Sequence, residues 1–142
     1  MNPHSNACGL RRRHCLFAVL PGRLIGTRPA HAAPLDDAMR RAEALRDEAL
    51  RSGDQAYGAV VLRGDAVVGA APSRVGTAND PTAHAEMEAI RDAARRLRTR
   101  DLSGCTLVST SRPCRMCEAA AGWAGISRMV HGPALTDAGP PR

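Results

Sequence analysis

Two short motifs some thirty residues apart, His84-Ala85-Glu86 and Pro113-Cys114-Arg115-Met116-Cys117, bind this chain to one architectural requirement: the fold must bring them together. Between them they carry one imidazole, two thiols and a carboxylate. One imidazole and two thiolates make a three-ligand zinc site with an open fourth position, and catalytic zinc sites keep that position for water where structural ones close it with protein. No other Cys or His lies at a spacing that would close it. Cys114 and Cys117, three apart, share one face of a helical turn and can share an ion.

The intervening pattern shows how the motifs can meet. Leu35, Ala38, Met39, Ala42, Leu45, Ala49 and Leu50 recur at helical spacing, with Asp36 and Asp37 in the expected first turn and Gly53 past the end. Residues 56–63 read as a strand, Gly64-Asp65 as its turn and 66–71 as the antiparallel partner. Residues 72–79 have no regular pattern. A second helix is expected with Asp80 as cap and Pro81 in its first position. Its buried stripe would be Ala83, Met87, Ile90, Ala94 and Leu97, with Arg91, Arg95, Arg96 and Arg98 on a solvated face. Residues 105–110 form a short buried strand. Pro113 opens a third helix carrying Met116, Ala119, Ala120 and Trp123, and residues 128–131 form a last strand. This order implies a mixed sheet with helices on its faces. Both metal motifs then fall at helix starts, where the positive helix end lowers thiol pKa values.

Charge locates a boundary. The net charge is +6, yet residues 1–34 hold five Arg and no acid, leaving 15 Arg against 14 acids in the remainder, a net of +1. A chain that grips nucleic acid generally shows a basic face, so the body gives nucleic acid little to bind. Residues 1–34 are read as a basic leader, either an export signal or an unstructured extension. Arg11-Arg12-Arg13, the apolar run 16–20 and Ala30-His31-Ala32 fit a twin-arginine signal, which Pro21-Gly22-Arg23 interrupts. A working signal implies the periplasm; otherwise the cytoplasm is expected. No stretch approaches a membrane span. Of five cysteines, Cys8 and Cys15 lie in the leader and Cys105 opens a strand as a buried thiol, so a disulfide scaffold is not expected. The remaining divisions are a domain over 35–132 and a disordered tail over 133–142.

Zinc held by His84, Cys114 and Cys117 would bring the pKa of a water toward neutrality. Glu86 would carry its proton, first to a ring nitrogen of a base and then to departing ammonia. Glu88 is the competing carboxylate, read as a surface group. Alone, His-x-Glu is most often a cap and C-x-x-C could be a redox pair. In this order, with Pro before the first Cys, they spell hydrolytic deamination of a nucleobase.

On these motifs, and on the longer stretch Asn79-Asp80-Pro81-Thr82-Ala83-His84-Ala85-Glu86, the chain resembles the cytidine deaminase-like superfamily, within it the guanine deaminase and bacterial tRNA adenosine deaminase group. The resemblance covers roughly residues 35–132. It implies an α/β fold, a three-layer α/β/α sandwich with a mixed central sheet, and a homodimer or tetramer. Tyr57-Gly58-Ala59-Val60 is similar to a guanine deaminase segment whose aromatic ring lines the base pocket, and Gly122-Trp123-Ala124 to one whose Trp borders the base. Core packing is the competing role for each ring. Ser73 stands where the family usually has an Asn that hydrogen-bonds the base; Arg112 and Arg115 stand where it has Glu and Pro. A fifth strand and a C-terminal helix normally follow the strand at 128–131, and residues 132–142 resemble neither, so the sandwich is expected to be C-terminally shortened.

Three functional readings follow. The first is a zinc hydrolase deaminating a small purine or nucleoside, guanine foremost, with Tyr57, Ser73 and Trp123 as substrate contacts. The second is adenosine deamination in tRNA. The third is a truncated zinc-binding member without activity.

Overall fold

The helix α1, Ala32–Arg51, places Ala38, Met39, Ala42, Leu45 and Ala49 on one buried face, as its spacing predicts. Leu50, counted into that stripe, is instead exposed, because the turn that buries Ala49 rotates its neighbour outward. The computed structural model describes residues 32–141. Residues 1–31 of the leader, which carry most of the export-signal reading together with Cys8 and Cys15, lie outside the described residues, while 32–34 already belong to α1.

Strands β1 (Gly58–Arg63) and β2 (Ala66–Pro72) form an antiparallel hairpin, and β1 also pairs antiparallel with β3 (Cys105–Ser109). The strand β4 (Arg128–His131) runs parallel to β3, which completes a mixed sheet. A fifth strand, β5 (Thr136–Gly139), pairs antiparallel with β4, giving the order β2-β1-β3-β4-β5. The expectations of a disordered tail over 133–142 and of a sheet without a strand after β4 are therefore corrected. Backbone pairing needs no apolar side chains, so Thr136-Asp137-Ala138-Gly139 could join the sheet without any hydrophobic signal. Arg128 Nε donates to Asp137 Oδ2 at 2.9 Å across this pair.

Side chains alternate across the sheet. Val60, Leu62 and Val108 meet Ala38, Met39, Ala42 and Leu45 of α1 on one face. Ala59, Val61, Cys105 and Leu107 meet the second helix α2 (Ala85–Leu97) and Ala121 of the third, α3 (Arg115–Trp123), on the other. The result is a three-layer α/β/α sandwich with a mixed central sheet, the cytidine deaminase-like fold. Cys105 is a buried core thiol.

Two glycines set the layer spacing. A Cβ on Gly58 would come within 2.0 Å of the Ala42 carbonyl oxygen of α1, and one on Gly69 within 2.4 Å of the Ala89 carbonyl oxygen of α2. Each helix backbone rests directly on a strand backbone at these points. Asp92 of α2 then accepts from the Ala70 N–H of edge strand β2 at 3.1 Å.

Helix α2 starts later than its capping signal predicts. Asp80 turns back locally, Oδ1 accepting from the N–H and hydroxyl of Thr82 at 2.7 and 2.8 Å, and His84 is the N-cap. The buried face is accordingly Ala85, Glu86, Ala89, Ile90 and Ala93, not the stripe through Met87 and Ala94. In α3 the buried residues are Cys117 and Ala121, and Trp123 is 90% exposed. Alanines on every side of both helices left the period ambiguous. Arg95, Arg96 and Arg98 do lie on a solvated face.

Candidate metal centre and active-site cavity

Each metal motif occupies the first turn of a helix. His84 caps α2 with extended backbone (φ −61°, ψ 152°), and Cys114 caps α3 likewise (φ −74°, ψ 170°). Neither side chain makes a capping hydrogen bond to its own helix. The carbonyl of each closes the first helical turn instead, accepting from Glu88 N–H at 2.9 Å and Glu118 N–H at 2.8 Å. Imidazole and thiol are thereby free for another partner.

That partner can be one ion. Cys114 Sγ lies 3.7 Å from Cys117 Sγ, and His84 Nδ1 lies 3.8 Å and 3.7 Å from the two sulfurs. Tetrahedral zinc, with bonds of about 2.3 Å to sulfur and 2.0–2.1 Å to nitrogen, sets such donors about 3.6–3.8 Å apart. The three residues are thus a cluster able to hold a metal, and their geometry and donor chemistry fit zinc. Burial pushes the Cys117 thiol well above its usual pKa, and the Glu86 carboxylate and Cys114 beside it push the same way. The lowering expected from the helix end does not prevail at Cys117; a dication taking the proton's place is what makes such a thiol a thiolate.

Glu86, two residues into α2, is 4% exposed. Its Oε2 faces Cys117 Sγ at 3.6 Å and its Oε1 accepts from the Ser109 hydroxyl at 2.8 Å. Glu88 points elsewhere and pairs with Arg91 at 2.5 Å. A cavity of about 270 Å³ opens over the cluster, lined by Gln55, Tyr57, His84, Glu86, Ser111, Arg112 and Cys114.

Of the proposed substrate contacts, Tyr57 alone lines this cavity. Ser73 is 2% exposed and gives its hydroxyl to Asp54 Oδ1 at 3.0 Å. Asp54 also accepts from Gln55 N–H at 2.8 Å, and from Thr77 N–H and hydroxyl at 2.8 and 3.0 Å, so Ser73 belongs to a clamp on the loop 73–84. Trp123 ends α3, eight residues and therefore about 12 Å along the axis from the residue after Cys114. Neither reaches the cavity. Sequence reasoning passed over Gln55, Ser109 and Ser111, whose isolated polar side chains carry no spacing signal.

A mixed sheet with two helix N-termini converging on a His-Cys-Cys cluster and a buried carboxylate defines a class, the zinc-site proteins of cytidine deaminase-like fold. Residues 33–133 match the family described as the cytidine and deoxycytidylate deaminase zinc-binding region, and the chain belongs to that family. It is similar to a guanine deaminase of Bacillus subtilis, 37% identical over 101 residues, 70% of this chain and 65% of that protein. The solved structure of the Bacillus subtilis guanine deaminase superposes with a TM-score of 0.66 at 35% identity, covering 68% of this chain and 62% of that one. A tRNA(Ile)-lysidine synthase of Deinococcus radiodurans is 44% identical over 109 residues, 76% of this chain but 19% of the synthase. A structure from a study of A-to-I editing by tRNA:A34 deaminases matches with a TM-score of 0.66 at 34% identity, covering 68% and 70% of the two chains. The chain thus spans under two thirds of the length of these two curated relatives.

Proposed function

We propose that this chain is a zinc-dependent hydrolase that deaminates a purine base, guanine foremost, exchanging the exocyclic amine for oxygen from water and releasing ammonia. The observation that carries the reading is the buried Glu86 carboxylate held beside three donors spaced for zinc, beneath a cavity walled by Tyr57. His84, Cys114 and Cys117 would hold the zinc, which would supply the Lewis acidity that brings the pKa of water near neutrality. Glu86 takes a proton from water, delivers it to a ring nitrogen and passes the next to the leaving amine. Tyr57 offers its ring as one wall for a flat base. At about 270 Å³ the cavity lies just below the usual range for ligand clefts, about 300–1,000 Å³, which favours a small ring system. Similarity to guanine deaminases supports the purine.

The zinc-loaded full chain is assayed for ammonia release from guanine, adenine, cytosine, guanosine, adenosine and cytidine. Release from guanine is expected, with Glu86→Gln lowering it by about 10²–10⁴-fold. Full activity of that variant would remove Glu86 from the mechanism. Silence across the panel from folded, zinc-bound protein would overturn the reading in favour of an inactive zinc-binding member or the tRNA substrate. The tRNA reading has its own support in the equal TM-score to a tRNA deaminase structure. Tight tRNA binding with steep salt dependence would favour it. A homodimer completes the proposal, checked by light scattering.

A further inference from the structure

We infer that Ser109 is a positioning residue for this reaction, its hydroxyl holding the Glu86 carboxylate so that one oxygen stays turned toward the metal cluster. The inference rests on the role proposed for Glu86. Ser109 is the last residue of β3, and Val108 before it packs under α1, so Ser109 faces the α2 side of the sheet. It is completely buried on a face otherwise made of Ala59, Val61, Cys105 and Leu107. A hydroxyl in such surroundings is unfavourable unless it finds a partner. Its partner is Glu86 Oε1 at 2.8 Å, and among the described residues nothing else donates to that oxygen. A serine has one proton to give, and this one is given there.

The second oxygen shows what the bond achieves. With Oε1 tied to β3, Oε2 stands 3.6 Å from Cys117 Sγ, on the side of the cluster. Glu86 rides on the first turn of α2 and Ser109 on the central sheet, so the carboxylate is fixed from two layers at once. A glutamate side chain has three rotatable bonds, and in the first helical turn it would otherwise be free to swing toward the cavity mouth. A proton carrier must hold its reach within hydrogen-bond distance of both the water and the base. Ser109 supplies that constraint without touching either.

The experiment compares full-length, zinc-loaded parent, Ser109→Ala, Ser109→Thr and Glu86→Gln by zinc content, melting temperature, kcat and KM for guanine, and crystal structure. Ser109→Ala is expected to keep zinc and fold while its kcat falls about tenfold, equivalent to about 1.4 kcal/mol, with KM changed less than about twofold. Ser109→Thr, which keeps the hydroxyl, is expected to recover most of the loss. The crystal structure of Ser109→Ala should show the carboxylate displaced or in two orientations, a readout that holds whatever the substrate proves to be. An unmoved carboxylate, or unchanged kcat, in Ser109→Ala overturns the inference. So does an equal loss in Ser109→Thr with its hydroxyl still on Glu86. Full activity of Glu86→Gln would instead sink the proposed function, leaving the crystal structures to decide on Ser109. If Ser109→Ala does not fold, Ser109→Cys, whose thiol is a weak donor, carries the same test: a selective fall in kcat supports the role and an unchanged one removes it.

Discussion

Cys117 shows how far its surroundings govern the chemistry of one side chain. Its thiol is fully buried, beside a carboxylate and a second thiol, all of which disfavour a thiolate. Metal binding must then expel its proton, and affinity should fall steeply as pH is lowered. Zinc competition titrations between pH 8 and 5.5 should show this directly, and a flat profile would contradict it. Cys117→Ser should lose stoichiometric zinc and lower the melting temperature. The place of Glu86 beside the His-Cys-Cys cluster was legible at this scale because its spacing from His84 is fixed on one helical turn. Ser73 was not, because its hydroxyl is committed to Asp54, nineteen residues earlier, and only the folded loop shows that partner.

Between elements, close backbone approach and a carboxylate clamp do what apolar side chains do elsewhere. Gly69→Ala must push α2 off β2, against a contact that would be 2.4 Å, and should destabilise by about 1–3 kcal/mol in urea melts. An unchanged midpoint would mean that the layers can separate freely. Asp54 ties the loop before α2 to the end of α1. Burial works against its ionisation, yet the N–H groups of Thr77 and Gln55 and the hydroxyls of Thr77 and Ser73 outweigh it, holding its pKa at about 2 against 3.8. Its folded pKa lies below the unfolded one, so its stabilisation is complete above about pH 4 and is lost as pH falls through about 2. Asp54→Ala should therefore be less stable at pH 7 and lose less stability than the parent between pH 4 and 2. Acid titration by circular dichroism of both proteins checks it. The late start of α2 has a local cause in the same loop, where Asp80 Oδ1 accepts from the N–H and hydroxyl of Thr82. Asp80 carries a strong capping signature, but the loop held from Asp54 runs on to His84 before helical geometry begins.

For the molecule as a whole, the sheet is continuous from β2 to β5, and the solvent-facing residues belong mostly to helix ends and loops. The one tryptophan is among them, 90% exposed at the end of α3. Its fluorescence should be red-shifted, open to acrylamide quenching and little changed on unfolding. A blue-shifted, protected emission at high concentration would show that another copy covers it. Among the described residues no helix is long and apolar enough to cross a membrane.

The order of elements as far as β4, the turn at Gly64-Asp65 and the His-Cys-Cys cluster were readable because each rests on local chemistry: a period, a turn dipeptide, a ligand spacing. The two helix faces were only partly so, since alanine on all sides gives little contrast, and the faces were chosen by which residues the sheet receives. The strand at 136–139 had no hydrophobic signal, because its reason to exist is the free backbone edge of β4. What the sequence determined by itself is the donor set and its helix-start placement. What only the tertiary structure decided is which polar groups surround it: Ser109 on Glu86, Ser73 turned away to Asp54, and Trp123 carried to the far end of α3. Those depend on contacts between residues far apart in the chain, which no local pattern encodes.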